Sequence, residues 1–150
     1  MNYDTKSLEA VIGLEIHVQL NAATKLFCDC PSRTGDAPNR NTCPICLWLP
    51  GALPRLSAEA VEKAVLACLA LNCEISSESA FDQKVYYYPD LPKGFQLSQH
   101  HRPLATNGWI DIMSEDSQHR RLRIHLLCLY WMHRHMLGYL QWVYILRRVI

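Results

Sequence analysis

From Val11 to Leu20 the chain reads VIGLEIHVQL, and from Leu14 apolar and polar residues alternate strictly. In an extended strand Leu14, Ile16, Val18 and Leu20 fall on one side, and Glu15, His17 and Gln19 on the other. The pattern predicts a strand whose aliphatic side faces a core. Its polar side sets a carboxylate and an imidazole two residues apart, about 6.5–7 Å along the strand. Both could then reach one divalent ion or the waters around it. Most alternating strands simply turn a polar face to water, and spacing by itself favours that reading.

The remaining pattern predicts a short series of elements. Asn21 to Thr24 reads as a turn and Lys25-Leu26-Phe27 as a short return, while Leu47 to Leu56, with Pro50, Gly51 and Pro54, is a loop. Ser57 reads as the N-cap of a helix running to about Leu71. Glu59 and Glu62 sit in its first turns, Val61, Val65, Cys68 and Leu69 form its buried stripe, and Asn72 is its stop. Tyr86 to Tyr88 favours a strand, and the Pro89 to Gly94 stretch a loop. Trp109 to Met113 alternates again, Ser114 to Gln118 reads as a turn, and Arg121 to Leu127 returns as the second arm of a hairpin.

Composition narrows the field. A chain of 150 residues holds one domain with a real core and falls short of two. The net charge of +1 gives no global field to gather nucleic acid. The first residues carry no apolar run and no arginine-rich character, so neither a secretory signal nor a transit peptide is expected, and the location expected is cytoplasmic. Seven cysteines without an export signal read as cytosolic thiols or metal ligands.

The cysteines are not scattered. Cys28-Asp29-Cys30 and Cys43-Pro44-Ile45-Cys46 flank a polar loop, the layout of paired zinc knuckles. Four thiolates close a tetrahedron around zinc at about 2.3 Å, and a fully protein-ligated zinc is structural because no position stays open. The first pair, with a single intervening residue, is the tighter and less common knuckle. Cys68 and Cys73 read as ordinary helix and helix-end residues.

Several long stretches, in order and in register over about residues 8 to 124, resemble one family. Val11 to Leu20, Cys43-Pro44-Ile45-Cys46-Leu47, Leu49 to Pro54, Ala70-Leu71-Asn72, the Phe81 to Gln99 stretch with Tyr88 to Gly94, and Gly108 to Ile112 resemble the B subunit of the aspartyl/glutamyl-tRNA amidotransferases, the GatB family. The resemblance implies an α+β fold: a mainly antiparallel sheet with packed helices, the partial glutamine-synthetase-like cradle domain with a zinc-knuckle insertion. It also implies an ATP-dependent ligase acting on mischarged Glu-tRNA(Gln) or Asp-tRNA(Asn). ATP phosphorylates the tRNA-bound side-chain carboxylate, and ammonia released from glutamine by a partner A subunit displaces the phosphate. A and C subunits are the implied protein partners, tRNA the partner of the full-length protein, and no membrane is involved. Glu15 and His17 match the family's magnesium ligands, Lys84 a lysine of its ammonia route, and Cys28, Cys30, Cys43 and Cys46 a zinc site that some relatives carry.

The chain also departs from that pattern. Trp48 stands where the family usually has glycine, at a cost if the position needs a positive φ. Gln83 and Val85 replace an Arg and an Asn, and His100-His101 a Tyr-Asp pair. After His125 the family continues into an acidic segment, whereas here no carboxylate follows Asp116. Residues 1–125 therefore read as the family's N-terminal part. Residues 126–150 read as a divergent apolar tail, the frameshifted or otherwise non-native ending of a truncated gene, with an amphipathic helix as one conformation open to it. The tail is too often interrupted by His and Arg to be a span of about 18–20 apolar residues. Two other readings stand beside the enzyme: an inert zinc-binding remnant, and a small zinc module contacting protein or nucleic acid. The second would need a basic face around Lys25, Arg33 and Arg40, and three cations are few.

Overall fold

The computed structural model describes residues 11–85, 87, 94–131 and 138–147. Its elements are β1 (Val11–Gln19), α1 (Ala58–Ala70), β2 (Glu74–Ile75), β3 (Ala80–Val85), β4 (Phe95–Arg102), β5 (Ala105–Met113), β6 (His119–Trp131) and β7 (Gly138–Arg147). Five strands pair antiparallel in the order β1-β7-β6-β5-β2, and β3 pairs antiparallel with β4 in a second sheet. This is the α+β, antiparallel arrangement expected, with a single helix among the described residues.

The β5–β6 hairpin follows the alternation that predicts it. Met113 opposes His119, and the Ser114 and Gln118 backbones close the turn with Ser117 at a positive φ of 57°. One row sets Asp111 opposite Arg121 and Trp109 opposite Arg123. Arg121 holds Asp111 in two hydrogen bonds of 2.8 and 2.9 Å and lies 3.7 Å over the Trp109 ring.

Helix α1 begins where Ser57 caps it, its hydroxyl accepting from the Ala60 N–H. Glu59 does double duty, pairing with Lys63 at 2.9 Å and accepting from the Ala23 N–H, which ties the helix start to the loop after β1. The helix stops where Asn72 adopts φ 54°. Its buried residues are Ala60, Ala64 and Cys68; of the stripe expected, Cys68 is buried and Val61 and Val65 pack partly buried against the core, but Leu69 is 57 % exposed. Small side chains allow close approach, so the core is filled from the other side. Leu26 and Phe27 from the loop after β1, with Leu127 and Leu129 from β6, pack against the helix.

Three further expectations change. Lys25 to Phe27 form no return strand; a single Thr24–Pro31 bridge closes a tight loop that buries Leu26 and Phe27. The aliphatic row of β1 is not core: Leu14, Ile16 and Val18 are 38–46 % exposed. Helix α1 packs on β2 and β6, four and two positions from β1, which lies at the sheet edge. The apolar residues after His125 form no helix through Trp131. They continue β6, and residues 138–147 form β7 between β1 and β6. The Tyr86 to Tyr88 strand and the Pro89 to Gly94 loop fall mostly outside the described residues.

Candidate metal centre

Two loops bring the four cysteines together. Cys28 and Cys30 sit on the loop closed by the Thr24–Pro31 bridge, where the Lys25 N–H donates to the Cys30 carbonyl. Cys43 and Cys46 sit on a turn whose Cys43, Pro44 and Ile45 carbonyls accept from Leu47, Leu49 and Trp48. Trp48 turns the chain there with φ 52°, the left-handed conformation that favours glycine, and its ring packs edge-on to Phe95 at 4.7 Å.

The four sulfurs lie within 4.8 Å of one another, with Cys28–Cys46 at 3.2 Å and Cys43–Cys46 at 3.6 Å. A tetrahedral zinc with bonds of about 2.3 Å separates its sulfurs by roughly 3.8 Å. The cluster therefore fits a tetrathiolate ion with small adjustments. Burial pushes the Cys28 thiol well up and Cys30 to about 11. Burial acts against the Cys43 thiolate too, but the Cys46 N–H and neighbouring thiols outweigh it and bring Cys43 down to about 7. A divalent ion would supply the charge that lets all four sulfurs ionise together.

A cation the cysteine pattern does not announce stands beside them. Lys25 is only 6 % exposed, and its ammonium lies 3.6 Å from the Cys46 sulfur. That removes Lys25 from the basic face a nucleic-acid module would need. Arg33 is taken up by Asp36 at 2.6 Å.

Glu15 and His17 do share a face, as their spacing predicts. The His17 Nε2 donates to Glu15 Oε1 at 2.8 Å. The His17 ring also meets Tyr130, 1 % exposed, at 4.9 Å between centroids, a partner the sequence did not signal. Two ligand atoms this close would suit adjacent positions on a magnesium ion, which takes six, mostly oxygens. Among the described residues, the group of three or more potential ligands close enough for one metal is the cysteine set. Glu15 and His17 thus do not by themselves make a magnesium site. Lys84 stands elsewhere, exposed on β3 and paired in register with Gln96.

Residues 10–130 match the family described as GatB/GatE catalytic domain. The chain belongs to that family. Similar GatB-family proteins include a B subunit of the aspartyl/glutamyl-tRNA(Asn/Gln) amidotransferase of Syntrophus aciditrophicus, 69 % identical over 117 residues, covering 78 % of this chain and 24 % of the relative. The corresponding B subunit of Persephonella marina is 56 % identical over 119 residues, 79 % of this chain and 25 % of the relative. The B subunit of the chloroplastic/mitochondrial glutamyl-tRNA(Gln) amidotransferase of Ricinus communis is 49 % identical over 128 residues, 81 % of this chain and 23 % of the relative. The chain spans about a quarter of the length of these GatB relatives. No helix among the described residues is long and apolar enough to cross a membrane.

Proposed function

We propose that this chain is the N-terminal part of the catalytic domain of a GatB-type tRNA-dependent amidotransferase, with a structural zinc held by Cys28, Cys30, Cys43 and Cys46. The reaction is that of the longer protein, working in the cytoplasm with A and C subunits. The side-chain carboxylate of a tRNA-bound Glu or Asp takes the terminal phosphoryl group of ATP, giving an acyl phosphate and ADP. Ammonia then attacks the acyl carbon, phosphate leaves, and the amide remains. A carboxylate is a poor acyl donor, and phosphorylation supplies its leaving group.

The match over residues 10–130 carries this reading. Residues 1–125 supply the scaffold: the β1 face bearing Glu15 and His17, Lys84 on β3 for the ammonia route, and the zinc loops. The magnesium role of Glu15 and His17 needs oxygen ligands beyond that pair, so no catalytic step rests on the pair alone. Residues 126–150 are a divergent ending without the carboxylates that would complete the site.

A chimera tests the reading. Residues 11–125 replace their counterpart in the full-length Syntrophus relative, assembled with its A and C subunits, ATP, magnesium, glutamine and mischarged tRNA. Amidation at a rate near that of the parent is expected, with one zinc per chain. A soluble, assembled chimera without turnover would overturn the proposal.

A further inference from the structure

Zinc on four thiolates carries a net charge of −2, and a partly buried dianion needs donors or cations around its sulfurs. Lys25 meets that need from an unusual place. Lysine is seldom buried unless paired, and this one is 6 % exposed with its ammonium 3.6 Å from the Cys46 sulfur. The same ammonium donates to the Asn41 carbonyl, and the Asn41 amide donates to Asp36 at 2.7 Å. Lys25 itself belongs to the loop carrying Cys28 and Cys30, which its own N–H and the Thr24–Pro31 bridge hold closed. One ammonium thus joins the loop of the first cysteine pair to the loop of the second.

We propose that Lys25 is the counter-ion of the zinc centre, donating an N–H···S hydrogen bond to the Cys46 thiolate and clamping the two cysteine loops together. The proposal rests on the reading of the four cysteines as a zinc site. As zinc binds, the four thiols release their protons to solvent. The Cys46 thiolate that remains lies 3.6 Å from the buried ammonium, so ion and lysine stabilise each other. A compact ammonium suits the task because it delivers a point charge and several donors in a small volume. Groups that orient and polarise metal ligands in this way are worth about 10–100-fold in metal affinity.

The test compares zinc competition with a chromophoric chelator for the full chain and its Lys25→Met and Lys25→Arg variants, with circular dichroism reporting the fold. Lys25→Met is expected to bind one zinc per chain about 10–100-fold more weakly. Lys25→Arg, which keeps charge and donors, is expected to recover most of the loss. The cobalt-substituted proteins give a second readout that simple packing would not move. Removing a donor from the sulfur raises its lone-pair energy, so the thiolate-to-cobalt charge-transfer band should shift to longer wavelength in Lys25→Met and stay near its wild-type position in Lys25→Arg. If Lys25→Met does not fold, Lys25→Gln, which also lacks the charge, takes its place with both readouts. A neutral variant that holds zinc as tightly as wild type, with an unmoved band, overturns the counter-ion. A wild-type chain that binds no zinc overturns the counter-ion and the zinc reading together.

Discussion

Two residues show how backbone and packing terms compete at single positions. Trp48 sits at φ 52° where the left-handed conformation costs an L-residue about 1–2 kcal/mol. Its ring offsets that through the edge-on contact with Phe95 and the core beneath. Removing a packed Trp costs about 3 kcal/mol or more. Trp48→Gly should therefore relieve the backbone and still lose about 1–2 kcal/mol net, read from chemical denaturation of the zinc-loaded protein. Gly108 poses the opposite problem. A Cβ there would lie 2.3 Å from the Cys73 sulfur and 3.0 Å from the Leu71 carbonyl oxygen, because β5 passes directly over the end of α1. Gly108→Ala should cost about 2–3 kcal/mol, the range of overpacking, and Cys73→Ala in the same chain should return part of it.

At the scale of elements, the helix and the hairpin make separate predictions. Helix α1 buries Ala60, Ala64 and Cys68 and leaves Leu66 and Leu69 64 % and 57 % exposed. Ala64→Leu should destabilise by about 1–3 kcal/mol, whereas Leu66→Glu should stay within about 0.5 kcal/mol of wild type in thermal unfolding. The hairpin carries a pH dependence. The Arg121 guanidinium holds the Asp111 carboxyl below its usual range. A depressed folded-state pKa gives stabilisation that is present above the unfolded value of about 3.9 and is lost as pH falls through the depressed value. Melting temperature should therefore fall less steeply below pH ~4 in Asp111→Asn than in wild type. Acid loss of the proposed zinc would be common to both proteins and would cancel in the comparison. Both partners are about half exposed, so the difference should shrink in high salt.

At the scale of the molecule, the last strands decide what the chain can be part of. β7 inserts between β1 and β6, so the apolar ending holds the β1 strand that presents Glu15 and His17. Tyr130, buried against His17, occupies the space beside that pair. Extending the chimera's replaced segment from residue 125 to residue 150 should abolish tRNA amidation while zinc stays at one per chain. Turnover in the longer chimera would show that the apolar ending supplies what the acidic segment does. Zinc removal should act more locally. A chelator is expected to raise amide exchange over residues 25–49 and leave β5 and β6 protected, as hydrogen-exchange mass spectrometry would show, because those two strands hold each other through their own ladder.

Local signals determined much of this protein. Ser57 as a cap, Asn72 as a stop and the Trp109 to Leu127 alternation all act within a few residues, so the sequence alone predicted helix and hairpin. The pairing of Glu15 with His17 follows from the period of a strand, and the clustering of four cysteines from the chemistry that two close pairs imply. Tertiary structure decided the rest. Whether the aliphatic row of β1 is buried depends on where α1 packs, and α1 packs elsewhere. Which face of α1 is core depends on the size of Leu26, Phe27, Leu127 and Leu129, which come from distant segments and leave room only for the small side chains of Ala60, Ala64 and Cys68. Lys25 reads as a surface cation in sequence because burial is not a local property. Its place beside Cys46 is created only when two loops, 21 residues apart at their contact, close on each other. The apolar ending shows the same limit: its composition suits several conformations, and long-range hydrogen bonding to β1 and β6 selects the strand.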